Sequence, residues 1–375
     1  MQVRRRSVVT VSESSKVWKE LAKCSGGEWK DVFHLRGKGS LLAVQTYGPG
    51  MQVQYETTGV CDQDFDIVVP AKKILPLIES DHPLKIVVKD DKVFLRSGRS
   101  SYKVNTDPVI PPSIITGEQL DLCSLSKDHL VTALQLGSKC ASTKDDYPPY
   151  RGGVLLSVTD ILRVCSTDSK RLATVTTPIV TASKGDVLIP VKAARNVASL
   201  LAVIPDIEHV TLAVTDTTLV IYAFGLRITV MKIDAAYPNV KPLFDKPREQ
   251  SETMSKADAV GALKRLNAFA DSRIVLQPSH MVALAADGLA IERLECDSVK
   301  EVSFEYSYPL LIAGVDSVAS KDFTWHTEKS TGALTIESGD DPLSHKYILM
   351  PIETSPERMA AIKSQWEEVV SGGHS

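Results

Sequence analysis

The sequence predicts an α+β protein built as three tandem copies of one unit, each running helix, strands, helix, strands. Three observations predict it. A serine-led amphipathic segment occurs as SSKVWKELAKC (14–24), SKDHLVTALQLGSKC (126–140) and SKADAVGALKRLNAFA (255–270). An apolar strand running into a helix occurs in FDIVVPAKKILPLIES (65–80) and GDVLIPVKAARNVASLL (185–201), with a weaker copy in VSFEYSYPLLIAGVDSVAS (302–320). A strand pair then closes each copy: KVFLRSGRSSYKVNT (92–106), TLVIYAFGLRITVMKI (218–233) and GALTIESGDDPLSHKYILMPI (332–352). A period of about 120 residues is too long for a solenoid and suits a triplicated domain.

Each element has a local reason. Val17, Leu21 and Cys24 fall at helical spacing. So do Leu130, Leu134 and Gly137 or Ala141, and Ala259, Leu263 and Leu266. The preceding serine can cap each helix. SLLAVQTYGPGMQVQYET (40–57) reads as strand, Gly-Pro-Gly turn and strand; 152–167 and 272–287 have the same character. Pro70 and Pro190 stand at helix starts, where a missing N–H costs nothing, and Ser307 takes that place in the third copy. Polar, Pro-containing stretches near 117–120 and 245–253 predict boundaries, giving units 1–117, 118–248 and 249–354. Residues 355–375 read as an added helix, capped by Ser355, with Pro356 at its first position and Glu357 in its first turn. Met359, Ile362, Trp366 and Val369 or Val370 would form its apolar stripe.

Composition narrows the function. The 375 residues are 43% hydrophobic and carry a net charge of −3, which excludes disorder and coiled coil for the bulk of the chain. No apolar run approaches the ~20 residues of a membrane span, and the basic N-terminus lacks the apolar core of a signal peptide, so a cytosolic protein is expected. Six scattered cysteines without C-x-x-C spacing read as buried thiols. Motifs for nucleotide phosphate, zinc hydrolysis or an activated serine are missing. Asp62, Asp64 and Asp66 alternate like the start of a calcium loop, but Ile67 and Lys73 stand where that loop needs glycine and glutamate. A solvated acidic face is the plainer reading; a metal-dependent nuclease is the enzymatic alternative. No cofactor or metal is expected.

Positive charge collects on the repeated helices. The first helices carry Lys16, Lys19, Lys23, Lys127, Lys139, Lys256, Lys264 and Arg265; the second carry Lys72, Lys73, Lys192 and Arg195. Lysines facing solvent on amphipathic helices explain this. If equivalent helices share one side, the same charges would neutralise phosphates without reading bases.

Four segments then carry a resemblance. TDSKRLA (167–173) is similar to the T-D-x-x-R-L-A segment of the bacterial sliding clamp, the beta subunit of DNA polymerase III. FLRSGRSSYKVNT (94–106), YPNVKP (237–242) and YILMPI (347–352) resemble further segments of that family in order. The resemblance spans 10–353 and implies clamp domains with helices on one face of antiparallel sheets. Two protomers would join head to tail in a ring around duplex DNA. The implied function is a non-enzymatic processivity factor that holds DNA regardless of sequence. It would tether the polymerase, the clamp loader and other proteins bearing a short clamp-binding peptide. The helix cations above become DNA-facing, joined by Lys30 and Tyr150. The peptide pocket would comprise Thr167, Arg171, Leu172, Pro238, Leu243, Thr331, Ala333, Ile348, Met350, Pro351 and Ile352. Beside these stand departures: Ser169 and Lys170 replace a common glycine and histidine, Pro242 an arginine, and Arg151 an apolar residue. The family usually ends after the segment matching 347–352, so 355–375 is an extension; it either packs on the third unit or gates the pocket. The divergence suggests a phage or mobile-element member. A triplicated scaffold without DNA is the non-enzymatic alternative.

Overall fold

The computed structural model describes residues 6–11, 14–25, 32–59, 61, 64–80, 82–89, 92–106, 114, 117–144, 148–244, 252–269, 273–277, 280–285, 288–293, 304–328, 331–339, 342–362 and 364. Its helices are α1 (Ser15–Lys23), α2 (Ala71–Ile78), α3 (Lys127–Gly137), α4 (Val191–Val203), α5 (Lys241–Phe244), α6 (Lys256–Leu266) and α7 (Tyr308–Ser317). All the expected strand pairs form as antiparallel hairpins, including Leu41–Gly48 with Met51–Thr58 around Gly50 at φ +69°. Pro70, Pro190 and Ser307 occupy the same place, the N-cap of α2, α4 and α7. The leading serines behave unequally. Ser255 accepts the backbone N–H of Asp258, whereas Ser14 takes the N-cap of α1 without that bond.

Contacts divide the chain into two compact units. One comprises 1–135, 152–163 and 178–235; the other comprises 136–151, 164–177 and 236–375. In the first, a sheet runs in the order Val180–Thr181, Leu120–Ser126, His209–Val214, Thr218–Ala223, Leu226–Met231, Met51–Thr58, Leu41–Gly48, Val32–Lys38, Phe65–Pro70. Its centre joins the first repeat to the second: Leu226–Met231, the last strand of repeat two, pairs with Met51–Thr58 of repeat one. Strand pleating turns Phe33 and Leu35 inward while His34 and Arg36 take the other face. Phe33 meets Trp18 of α1 edge-on at 5.0 Å between ring centres. A smaller sheet orders Arg6–Thr10, Leu84–Lys89, Lys92–Ser97 and Ser100–Val104, leaving Ser100–Val104 at an edge.

The second unit repeats the device. Ser344–Leu349, the last strand of repeat three, pairs with Arg171–Pro178 of repeat two. Leu334–Ser338, Asp322–Thr327 and Glu252–Ser255 follow in order. A buried core of Leu263, Leu311, Val315, Tyr306, Tyr347 and Trp325 lies where α6 and α7 cover this sheet. Gly314 in α7 is required there, because a Cβ would stand 2.6 Å from the Tyr347 ring. A second small sheet orders Gly288–Arg293, His280–Ala285, Arg273–Gln277 and Phe304–Ser307, leaving Gly288–Arg293 at an edge.

Candidate partner groove and basic helix faces

The register of the second unit builds an apolar site from the strands upward. Leu172 stands opposite Ile348, and Ile348 opposite Thr335. The alternating residues Ala173, Tyr347, Leu349, Leu334 and Ile336 enter the core with α6 and α7. Leu172 and Ile348 therefore lie on the sheet face away from those helices, yet each is only 4% exposed. Ala333 is buried as well, while Met350 and Leu243 are 40% and 43% exposed. Buried apolar residues beside exposed ones are the ingredients of a peptide-anchoring site. Pro351 and Ile352 are half-buried, Thr331, Pro238 and Pro242 exposed. The last two lie on the segment that leaves Tyr237 and enters α5.

The turn entering strand Arg171–Pro178 is tied by its own side chains. Thr167 Oγ1 donates to the Arg171 carbonyl at 2.7 Å and accepts the Ser169 N–H at 3.0 Å. Asp168 Oδ1 accepts the N–H groups of Lys170 and Arg171 at 3.0 and 3.1 Å. Met350 N–H reaches the Lys170 carbonyl at 2.9 Å, joining this turn to the strand end at 349. Ser169 sits at φ +74°, a left-handed conformation natural to glycine. Its hydroxyl accepts from Arg151 Nε at 3.0 Å and lies 3.4 Å from Tyr150 Oη. Two residues that depart from the family pattern, Arg151 and Ser169, thus hold each other. Tyr150 packs edge-on against Tyr237, 5.8 Å between ring centres.

Alternation places Arg171 on the helix-covered face, apart from Leu172. Its guanidinium bonds Asp168 Oδ2 at 2.9 Å. Burial works against its charge, but hydrogen bonds to Tyr347 and Asp168 outweigh burial and raise its pKa. Cys140 nearby is buried, and burial foremost pushes its thiol well above the usual range, so it is not a nucleophile at neutral pH. Burial likewise pushes Cys24 and Cys123 up to about 12. Cys61 and Cys165 are also buried and not joined in a disulfide, and Cys296 lies outside the described residues.

Residues 125–239 match the family described as DNA polymerase III beta subunit, central domain. Over this central part, and more weakly along most of its length, the chain is similar to the DNA polymerase III beta subunits, the sliding clamps. It is 22% identical over 356 residues to the beta sliding clamp of Synechocystis sp., covering 83% of this chain and 88% of the relative. Its fold is similar to the DNA polymerase III beta subunit of Thermotoga maritima, with a TM-score of 0.83, 16% identity and coverage of 94% and 100% of the two chains. The subunit of Pseudomonas aeruginosa gives 0.81 and 16%, covering 93% and 100%.

The cations of the repeated helices differ in exposure and in what holds them. Lys72, Lys73, Lys16 and Lys264 are exposed, as are Lys192 and Arg195 of α4. Several are held by the fold, and in each repeat one lysine reaches from the first helix to the end of the second. Lys19 pairs at 2.5 Å with Glu79, the C-cap of α2. Lys127 donates at 2.9 Å to the carbonyl of Ile204, the C-cap of α4. Lys256 donates at 2.6 Å to the carbonyl of Val318, the C-cap of α7. In repeats two and three the lysine thus takes a carbonyl at the negative end of the second helix, whereas in repeat one it pairs with the carboxylate of the C-cap residue. Lys23 pairs with Glu20 at 2.6 Å, and Arg265 with Glu292 at 2.7 Å. Lys139 is exposed, but partial desolvation and then repulsion by Lys256 lower its pKa. Lys30 lies outside the described residues, as does Asp62. Asp66, from the acidic cluster, is bound by His34 Nε2 at 2.5 Å, and Asp64 is exposed.

Sequence reasoning missed the lysine ties and a buried carboxylate, Glu305. A lysine at the first helical position, seen at 127 and 256, was the available signal for two of the ties. Glu305 had none, since strand FEYS alternates too briefly to show which side its acid takes.

Proposed function

We propose that this chain is a DNA polymerase processivity factor: a non-catalytic ring of two protomers that encircles duplex DNA and tethers its partners through the apolar site at Leu172 and Ile348. The supporting observation is a joining rule. The first hairpin of repeat one uses strand Met51–Thr58 to receive the last strand of repeat two, and Arg171–Pro178 of repeat two receives the last strand of repeat three. The strand of repeat three in that position, Gly288–Arg293, is an edge among the described residues. So is the last strand of repeat one, Ser100–Val104. One unused donor edge and one unused acceptor edge per chain are what a heterologous, closing interface needs. Domains 1–117, 118–248 and 249–354 are the copies so joined.

The exposed lysines and Arg195 face the DNA phosphates weakly and without base contacts, which lets the ring slide. Duplex DNA as the track puts the working place in the bacterial cytoplasm, on the nucleoid. Topology supplies the test. Protein loaded on a nicked circular plasmid is retained through gel filtration and is released when the circle is cut. Retention on the linearised product identifies ordinary affinity and overturns encirclement.

A further inference from the structure

The extension beyond Thr354 is anchored by an ion pair whose carboxylate is buried. Residues 356–362 are helical, Ser355 Oγ accepts the Arg358 N–H at 3.3 Å, and Ile362 is fully buried. Glu305 on strand Phe304–Ser307 has a side chain only 1% exposed. Arg358 donates to it through Nε and Nη2, at 3.0 and 2.8 Å to Oε1. Thr354 Oγ1 donates at 2.8 Å and Arg273 Nη1 stands at 3.4 Å, both on Oε2. Burial raises the carboxyl pKa, but Arg358, Thr354 and Arg273 outweigh it and lower the pKa overall. Releasing the helix would leave the buried carboxylate with only the more distant Arg273 as cation, so this anchor opposes release.

The anchored segment closes one side of a cavity of about 380 Å³. Phe304, Pro351, Ile352 and Met359 supply apolar walls, with Glu353 beside them exposed to solvent. The cavity borders residues assigned above to the candidate partner site. It shares Pro351 and Ile352, and the Phe304 ring lies over Gly332, between Thr331 and Ala333, where a Cβ would collide with it. Methionine is the side chain best able to adapt to a guest residue.

We propose that Met359 makes the extension a fixed wall of an added subsite, which takes an apolar residue flanking the main anchors of a partner peptide. Glu353 favours a lysine or arginine next to that residue. This subsite rests on the reading of Leu172 and Ile348 as the main peptide site. Three fluorescein-labelled probes test it by anisotropy on the full chain: a pentapeptide ending Leu-Phe, and the same peptide lengthened by Leu-Lys at one end or the other. One lengthened probe binds at least about fivefold tighter than the pentapeptide. Met359→Asp abolishes that gain and leaves the pentapeptide within about twofold, while Met359→Leu keeps both. Equal affinity of the three probes, or a gain that survives Met359→Asp, overturns the subsite and spares the main site. No binding of the pentapeptide to the unmodified chain overturns the main site and this subsite with it. Unchanged thermal midpoints of the Met359 variants confirm that the fold is intact.

Discussion

Two residues carry charge or strain that the surrounding fold must absorb. Both ring nitrogens of His345 are buried without a hydrogen-bond partner. Burial, then repulsion by Lys139, lowers its pKa to about 4. The unfolded chain therefore binds a proton that the folded chain refuses between about pH 6.5 and 4, so stability is present above that window and lost as pH falls through it. The expected loss is about 2 kcal/mol at pH 5 relative to pH 7. Urea midpoints at the two values check this, and His345→Leu shows a smaller difference between them. Ser169 is the second case. Its left-handed backbone costs about 1 kcal/mol for a residue with a Cβ, and the Arg151 contact offsets part of that. Ser169→Gly leaves the thermal midpoint within about 4 °C of the parent and frees Arg151. A changed preference at the peptide position facing Arg151, read by anisotropy on a substituted peptide series, is the expected outcome; an unchanged preference refutes a role for the pair.

At the scale of elements, the lysine ties change what a charge-neutralising substitution means. Lys127→Met and Lys256→Met each remove an ammonium from a helix C-terminus, costing about 1 kcal/mol of stability. Calorimetry reads this as a lower midpoint, while binding to a short duplex keeps its salt dependence. Lys72→Ala and Lys73→Ala do the reverse: the midpoint holds, and the slope of log affinity against log salt falls by about 1 for each phosphate no longer neutralised. Alternation and helical spacing made the six longer helices and the repeated strand pairs legible, because burying one face of an amphipathic element is a local demand; strands such as Val32–Lys38, Leu84–Lys89, Leu120–Ser126 and His209–Val214 carried no such signal. Which lysine turns back to a neighbouring helix is settled by where the second helix of the same repeat ends, in α4 some 77 residues away.

For the whole molecule, the unused edges make assembly the testable property. Scattering or sedimentation is expected to give a particle of two 40.9 kDa protomers. Neighbouring N–H groups of an edge strand point to opposite sides, so of Tyr102→Pro and Lys103→Pro one removes an outward donor. That variant runs as a folded monomer, and the other loosens the hairpin with Lys92–Ser97. Dimers unaffected by either exclude the edge Ser100–Val104 from the interface.

The amino-acid sequence alone determined the triplicated helix-and-strand order, the helix starts at Pro70, Pro190 and Ser307, and the tied turn of segment TDSKRLA. These follow from short-range periodicity, backbone preference and local hydrogen bonding. Only the tertiary structure decided that Arg171 and not Leu172 takes the helix-covered face, that Arg151 meets Ser169, and that Arg358 is locked to Glu305. Each depends on strand register or on segments brought together from 18 and 53 residues apart. Distant partners are chosen by packing the core, which no window of sequence contains.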